Sequence, residues 1–396
     1  MAVTPNNIPA EFHPFVSPSA ISYQRTGRML SLAHLGWSFL GIWLLLQFGG
    51  ARKLRVLVED IFERRSGKKR DRLPSDPPTL LPLAIYLVFL SLFAWLWSLP
   101  FEFAGQTLER RYGFGTQTVS GLLQDDLIAQ AFGLIAIPLV WVAYRIHARF
   151  PRTWWLWIWG GTAPLLYFIV VLQPVVFSPM FNTYTAMPGS AVKDHILGIA
   201  ERAGVSNATV LIENTSTRTR HVNAYVTGLG PSARIVINDT ALRELPEDQL
   251  IAMISHELGH YVEHHILVGY ITSVLGLGIF LWICSFSLPF LAERSSKWGV
   301  RGINDLALLP AIMLFVSLFL FMQSPIENAI SRTLEHRADA YGLRLSHLNV
   351  ATARLMVGFA ERDFTDPNPP ALLHFWFGTH PTLNERIAFA LSYRNN

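Results

Sequence analysis

Six long apolar runs, separated by short polar connections and two longer mixed stretches, set the pattern of this chain. They lie at roughly 29–49, 80–99, 127–147, 154–177, 266–292 and 305–323. Each holds about the 20 residues that a helix needs to cross a hydrocarbon core of ~30 Å. The third and fourth are joined by a basic turn around Arg149-Phe150-Pro151-Arg152, which predicts a tight helical hairpin. Trp154, Trp155, Trp157 and Trp159 crowd the start of the fourth, where interfacial aromatics belong. Residues 1–28 carry Pro5, Pro9, Pro14 and Pro18 and read as an irregular leader. The first apolar run lacks a charged lead-in and a small-residue cleavage site. It also runs straight into Arg52-Lys53-Leu54-Arg55, so it reads as a retained span rather than a signal peptide.

Two stretches break the lipid pattern. In 178–265, residues 186–204 read as a loop leading into a helix. Thr209–Glu213 and Arg234–Asn238 read as strands, with a third between them at His221–Gly228. A helix is expected from Pro246, which suits a first helical position and is followed by Glu247 and Asp248. The stretch 324–396 is mainly helical, with a break at Asp366-Pro367-Asn368-Pro369-Pro370. The expected organisation is therefore a leader (1–28), four membrane helices (29–177), the first part of a soluble domain (178–265), two more membrane helices (266–323) and the domain's second part (324–396). The fold class is mainly α: a polytopic α-helical membrane protein with a small α+β domain assembled from two soluble stretches.

Composition agrees with that class. Of the 396 residues 51% are hydrophobic and only 15% charged, where soluble domains carry about 25% charged. Mean hydropathy is +0.31. The net charge of +4 does not indicate nucleic acid, because the basic residues sit in short stretches beside apolar segments. Nine lie in 50–79 (Arg52, Lys53, Arg55, Arg64, Arg65, Lys68, Lys69, Arg70, Arg72), and three each in 145–153 and 293–304. The positive-inside rule makes that face cytoplasmic and puts both soluble stretches on the other side. The single cysteine, Cys284, excludes an intramolecular disulfide and a Cys-based metal site.

The chemistry is concentrated in His256-Glu257-Leu258-Gly259-His260. Positions i and i+4 of a helix share a face, so both imidazoles can reach one ion. Glu257 lies about 100° around the helix from His256, placed to act on a water held by the ion without ligating it. A catalytic zinc uses three protein ligands and keeps one position open. It lowers the pKa of water to about 7, and the carboxylate takes the proton as the water attacks a carbonyl. The five-residue pattern alone also fits a helix with surface histidines. A partner is found in Glu335-His336-Arg337-Ala338-Asp339. Glu335 on a second helix would complete a His₂Glu set. Asp339, one turn along the same face, would accept the free ring N–H of a ligating His. Alone, this motif too fits an ordinary amphipathic helix. The metzincin arrangement needs a third His where the chain has Ile266. Metal affinity is expected to fall as the two imidazoles protonate near about 6.5.

With these motifs the chain resembles the type-I CAAX prenyl protease family of membrane zinc metallopeptidases, a gluzincin family, over roughly residues 95–390. The likeness includes Asn223-Ala224-Tyr225 with Gly228, and Thr379-His380-Pro381 with Glu385-Arg386. Phe101-Glu102-Phe103 and Gly113-Phe114-Gly115 belong to it as well. It implies a Zn2+ ion held by His256, His260 and Glu335, with Glu257 as general base. By motif position Asn223 would bind substrate backbone and His380 would stabilise the oxyanion. Arg386 matches a family arginine near the site, implying substrate binding or orientation of its neighbours. On the residues alone, Asn223 also fits a turn former and His380 the lead-in to a helix. Eukaryotic members trim prenylated C-termini on the cytoplasmic side and commonly have seven spans around an intramembrane chamber. This chain shows six spans, and its basic loops put the site outside the cytoplasm.

The implied partners are peptide or protein substrates, prenylated or not, and the lipid bilayer. Arg- and Trp-rich composition points to a bacterial cytoplasmic membrane, where a quality-control protease needing no prenyl group is the alternative role. A transporter would carry ionisable residues at mid-span, and the counted spans offer only His34 and, at an edge, Asp305. A catalytically inactive scaffold would hold no stoichiometric metal.

Overall fold

The computed structural model describes residues 3–66, 76–228 and 233–394. Lys68, Lys69, Arg70 and Arg72 of the basic stretch lie outside these residues. The membrane part contains α1 (Pro18–Gln47), α2 (Gly50–Ser66), α3 (Leu80–Arg111), α4 (Val119–Arg149) and α5 (Trp154–Leu172). A π-helical turn at Gln173–Phe177 leads into α6 (Ser178–Phe181). Then come β1 (Tyr184–Ala186), α7 (Ala191–Arg202), β2 (Thr209–Glu213), β3 (Ala224–Thr227), β4 (Arg234–Asn238), α8 (Asp239–Glu244) and α9 (Glu247–Val262). The chain returns to the bundle through α10 (His265–Arg294) and α11 (Leu309–Ser346). It ends in α12 (Asn349–Glu361), α13 (Ala371–Phe377) and α14 (Leu383–Ser392).

Among the described residues, six helical segments are long and apolar enough to cross a membrane, the number expected. Their outward faces expose large apolar side chains, with Ile135 62%, Phe168 63% and Phe286 65% accessible, which marks a lipid-facing surface. The helices outrun the apolar windows. Ser17 accepts a hydrogen bond from the Ala20 N–H and Pro18 starts α1, so the irregular leader ends about ten residues before the expected position 28. α11 continues through Pro325 as one helix, so the expected division at 323/324 falls inside it. The candidate third ligand, Glu335, therefore rides on the same rod as the sixth span. Pro246, expected at the first helical position, stands at the N-cap, and α9 starts one residue later at Glu247.

The sheet has the order β1-β2-β4-β3, with β2 and β4 parallel and the outer pairs antiparallel. β2 and β4 have the expected limits. β3 covers only Ala224–Thr227, and β1 was not foreseen, since three residues give no readable alternation. Val210, Ala224, Val226, Ile235 and Ile237 share a core with Leu250, Ile251, Ile254 and Leu258 of α9. One sheet face thus supports the helix that bears HELGH.

The segment leading into β3 is clasped to the membrane helices. Arg218 binds Asp125 of α4 through Nε and Nη2, each at 3.1 Å. The Thr116 and Gln117 N–H groups donate to the Arg218 carbonyl, and Gly115 bridges Thr219. His221 stacks on Phe114 and lies between Asp363 (3.1 Å) and Glu109 (3.4 Å). At the other end of the bundle, buried Arg55 of α2 pairs with Asp305, and Arg301 with Glu59. Asp305 is thereby committed to a structural ion pair. From Leu309 to Glu335, α11 rises about 39 Å, more than the hydrocarbon core. Among the described residues, the basic connections around Arg55 and Arg301 therefore sit at the opposite end of α11 from the His/Glu cluster.

Candidate metal centre

α9 and α11 cross with almost nothing between their backbones. A Cβ on Gly342 would lie 2.9 Å from the His256 N and 3.0 Å from its Cα, and one on Gly259 would lie 3.0 Å from the Ala338 carbonyl oxygen. This approach brings HELGH and Glu335–Asp339 together. Gly342→Ala is expected to push the helices apart, at about 1–3 kcal/mol of overpacking, and to weaken metal binding. Thermal melting and metal titration check this, and a variant equal to wild type in both would show that the close approach is dispensable.

Three side chains converge. His256 Nε2 lies 3.1 Å from His260 Nε2 and 3.3 Å from Glu335 Oε2, while Oε1 lies 3.3 Å from His260 Nε2. Among the described residues these three form the group able to hold a metal ion. The opposite ring nitrogens fix the tautomers. His256 Nδ1 sits 2.9 Å from Asp339 Oδ1, to which it donates. His260 Nδ1 sits 2.9 Å from His265 Nδ1. With Nδ1–H donating in each case, both Nε2 lone pairs point at the same spot as the Glu335 carboxylate. Among the described residues Glu335 Oε2 is buried without a hydrogen-bond partner. Such a knot of acceptors is repulsive until a cation sits among them, so the residues fit a divalent metal. A proton on His256 answers the same pull in place of a metal: burial lowers the His256 pKa, but the charged ring's hydrogen bonds to Asp339 and Glu335 outweigh burial and raise it to about 9.

Asp339 is buried and accepts from Arg386 Nη2 at 2.6 Å and Nε at 2.9 Å. Arg386, itself 8% exposed, gives its fork to Asp339 instead of the open cleft. Its geometry is that of an orienting group. Glu257 lines the cleft beside His256. Burial pushes its pKa up, against the pull of His256 and His260. His380 Nε2 lies 3.3 Å from Glu335 Oε1 and its Nδ1 2.8 Å from the Thr379 hydroxyl. Burial lowers its pKa, which favours the neutral ring. Asn223 is exposed at the start of β3 and lines the same cleft of about 440 Å³, whose floor is apolar with Met253, Leu355 and Phe359.

Sequence reasoning missed His265. His264 turns the chain with φ 56° between α9 and α10, which folds buried His265 back onto His260. The Glu263-His264-His265 run was visible, but a left-handed turn at a histidine gives no pattern to read.

Together these features define a class: a metallopeptidase built into a membrane helix bundle. Two family models divide the chain. Residues 188–394 match "Peptidase family M48", and residues 2–183 match "CAAX prenyl protease N-terminal, five membrane helices". The chain belongs to peptidase family M48, within the CAAX prenyl protease group, and is a membrane metalloprotease. Within 2–183, α1 to α5 are five helices, of which α2 carries too many charges to count as an apolar span.

The metalloprotease YhfN of Bacillus subtilis is 31% identical over 96% of this chain and 88% of its own length. CAAX prenyl protease 1 of Saccharomyces cerevisiae is 29% identical over 78% of this chain and 71% of its own. The crystal structure of S. mikatae Ste24p superposes with a TM-score of 0.80, covering 98% of this chain and 94% of that one at 23% identity. That likeness establishes the shared fold.

Proposed function

We propose that the protein is a zinc endopeptidase that cleaves extended peptide segments of membrane-associated substrates at a zinc centre held by His256, His260 and Glu335. The single observation that carries this is the convergence of two Nε2 lone pairs with a buried carboxylate whose Oε2 has no hydrogen-bond partner among the described residues. The 3.1 and 3.3 Å separations fit the edge of about 3.3 Å of a tetrahedron built on zinc–nitrogen bonds of about 2.0–2.1 Å. When bound, zinc supplies Lewis acidity and brings the pKa of water toward neutrality. Glu257 then serves as general base. Asp339 and His265 hold the imidazoles in register, and Arg386 holds Asp339. His380, neutral and beside Glu335, donates to the developing oxyanion, and Asn223 fixes the substrate backbone at the start of β3.

The test is metal content with cleavage of one peptide in prenylated and unprenylated form, comparing wild type with Glu257→Gln. Near-stoichiometric zinc is expected in both proteins and cleavage in the wild type alone. Faster cleavage of the prenylated form would bring this chain the substrate class named for its CAAX prenyl protease relatives. Equal cleavage would make the peptide itself the recognised element, as in a quality-control protease. Because His256 is raised to about 9, apparent zinc affinity should climb with pH to about 9, not level off near 6.5. Wild-type protein without zinc would sink the reading.

For the side of the membrane, the basic connections support an extracytoplasmic site in a bacterial cytoplasmic membrane. A Ser206→Cys protein should then react with an impermeant maleimide added to intact cells. Labelling only after lysis would reverse the orientation.

A further inference from the structure

The sheet has a second face, turned away from α9, and it is not apolar throughout. Side chains alternate along a strand. With Val210 and Ala224 facing α9, the opposite side receives Glu213, Tyr225 and Asn238. Glu213 and Asn238 are paired in register on β2 and β4, so they stand side by side. Both are buried, at 7% and 5% exposure. The Tyr225 hydroxyl donates to Glu213 Oε2 at 3.0 Å and lies 3.2 Å from the Tyr184 hydroxyl. Among the described residues Asn238 Oδ1 has no hydrogen-bond partner. These groups line a polar cavity of about 710 Å³ between the sheet and the π-helical end of the fourth span, where Gln173 and Asn182 close it.

Among the described residues the cations near the cavity are bonded elsewhere, and Arg218 acts on Glu213 only at a distance. Arg218 spends its guanidinium on Asp125 and on Asn182. His221 is held between Glu109 and Asp363. Among the described residues no salt bridge reaches Glu213. A buried carboxylate beside an unsatisfied amide oxygen is costly by itself, and the ligand that relieves both is a cation rich in N–H donors. Burial raises the Glu213 pKa above the ordinary carboxylate value, against the pull of Tyr225 and Arg218, and a cation bound beside it would favour the charged form.

The cavity adjoins the metal cleft, and Asn223 lines both. β3 pairs only with β4 among the described residues, so its other edge is open. A peptide confined to that edge would stay three strand spacings of about 4.8 Å from β2, whereas one crossing the strand ends over the row Asn223, Asn238 and Glu213 lays a side chain into the cavity. We propose that this cavity is a subsite for a lysine or arginine side chain of the peptide substrate, with Glu213 as its specificity-determining residue. The proposal rests on the peptidase reading above.

The test uses the full-length zinc protein in detergent. One peptide is varied at each position flanking the cut, with lysine or its uncharged isostere norleucine, and kcat/KM is measured for wild type and Glu213→Gln. At one position the wild type is expected to prefer lysine by about tenfold or more. Glu213→Gln should reduce that preference to within about twofold while still cleaving the norleucine peptide. A second variant, Asn238→Asp, adds a carboxylate at the same spot and should deepen the preference. Wild-type cleavage with no lysine preference at any position overturns the subsite alone, as does a preference that survives Glu213→Gln. Equal loss on both peptides, with zinc content and melting unchanged, also overturns the specificity role. Absence of cleavage by wild type at every position overturns the peptidase reading together with the subsite.

Discussion

Replacing Glu257 by Gln is expected to leave the fold and zinc content intact while lowering kcat by about 10²–10⁴-fold, the range of a positioned general base. The substitution keeps the volume and one acceptor of a side chain that lines the cleft beside His256, so packing has little reason to change. What disappears is the ability to take a proton. The pH profile adds a second readout. Burial raises the Glu257 pKa, so in wild type kcat/KM should fall with decreasing pH through a limb lying above the ordinary carboxylate range. Below that limb the base is protonated and idle. Residual activity of Glu257→Gln should lack the limb. A variant that cleaves at the wild-type rate, or one that loses its zinc, would remove Glu257 from the proton-transfer step.

The sequence carried the membrane part well, because each span is a long apolar run and lipid allows few alternatives to a helix. It was less informative about where helices stop. α11 passes from lipid into the soluble domain without a break, since nothing in the backbone requires a helix to end where its surroundings change. The pairing of HELGH with Glu335 was legible because each motif lacks what the other supplies: two imidazoles short of a third ligand, and a carboxylate one turn from a partner acid. The means of bringing them together was not. Gly259 and Gly342 are unremarkable residues until the helices cross over them. His265 and Glu213 stayed silent for the same reason. Each acquires chemistry only through tertiary neighbours, His260 in one case and Tyr225 with Asn238 in the other.

Arg386 gives the second large effect. Its guanidinium donates two hydrogen bonds to Asp339, to Oδ1 at 2.6 Å and to Oδ2 at 2.9 Å, and Oδ1 also accepts a hydrogen bond from His256 Nδ1 at 2.9 Å. Arg386→Met strips a buried carboxylate of its principal partner, and losing one member of a buried pair is expected to destabilise by about 3–5 kcal/mol. Freed from the fork, Asp339 no longer holds the His256 ring in one orientation, and zinc affinity should fall by about 10–100-fold, as for other groups behind a ligand. Arg386→Lys should fall between wild type and Arg386→Met, since an ammonium keeps the charge but not the planar pair of donors. The double variant Arg386→Met with Asp339→Leu separates the two effects. With no charge left to desolvate, it should recover most of the melting temperature while zinc affinity remains low. If Arg386→Met melts with wild type, the ion pair is not what holds this end of α14 to α11. If the double variant recovers neither quantity, the loss comes from packing around residue 386, and the chain of contacts from Arg386 through Asp339 to His256 does not govern the metal.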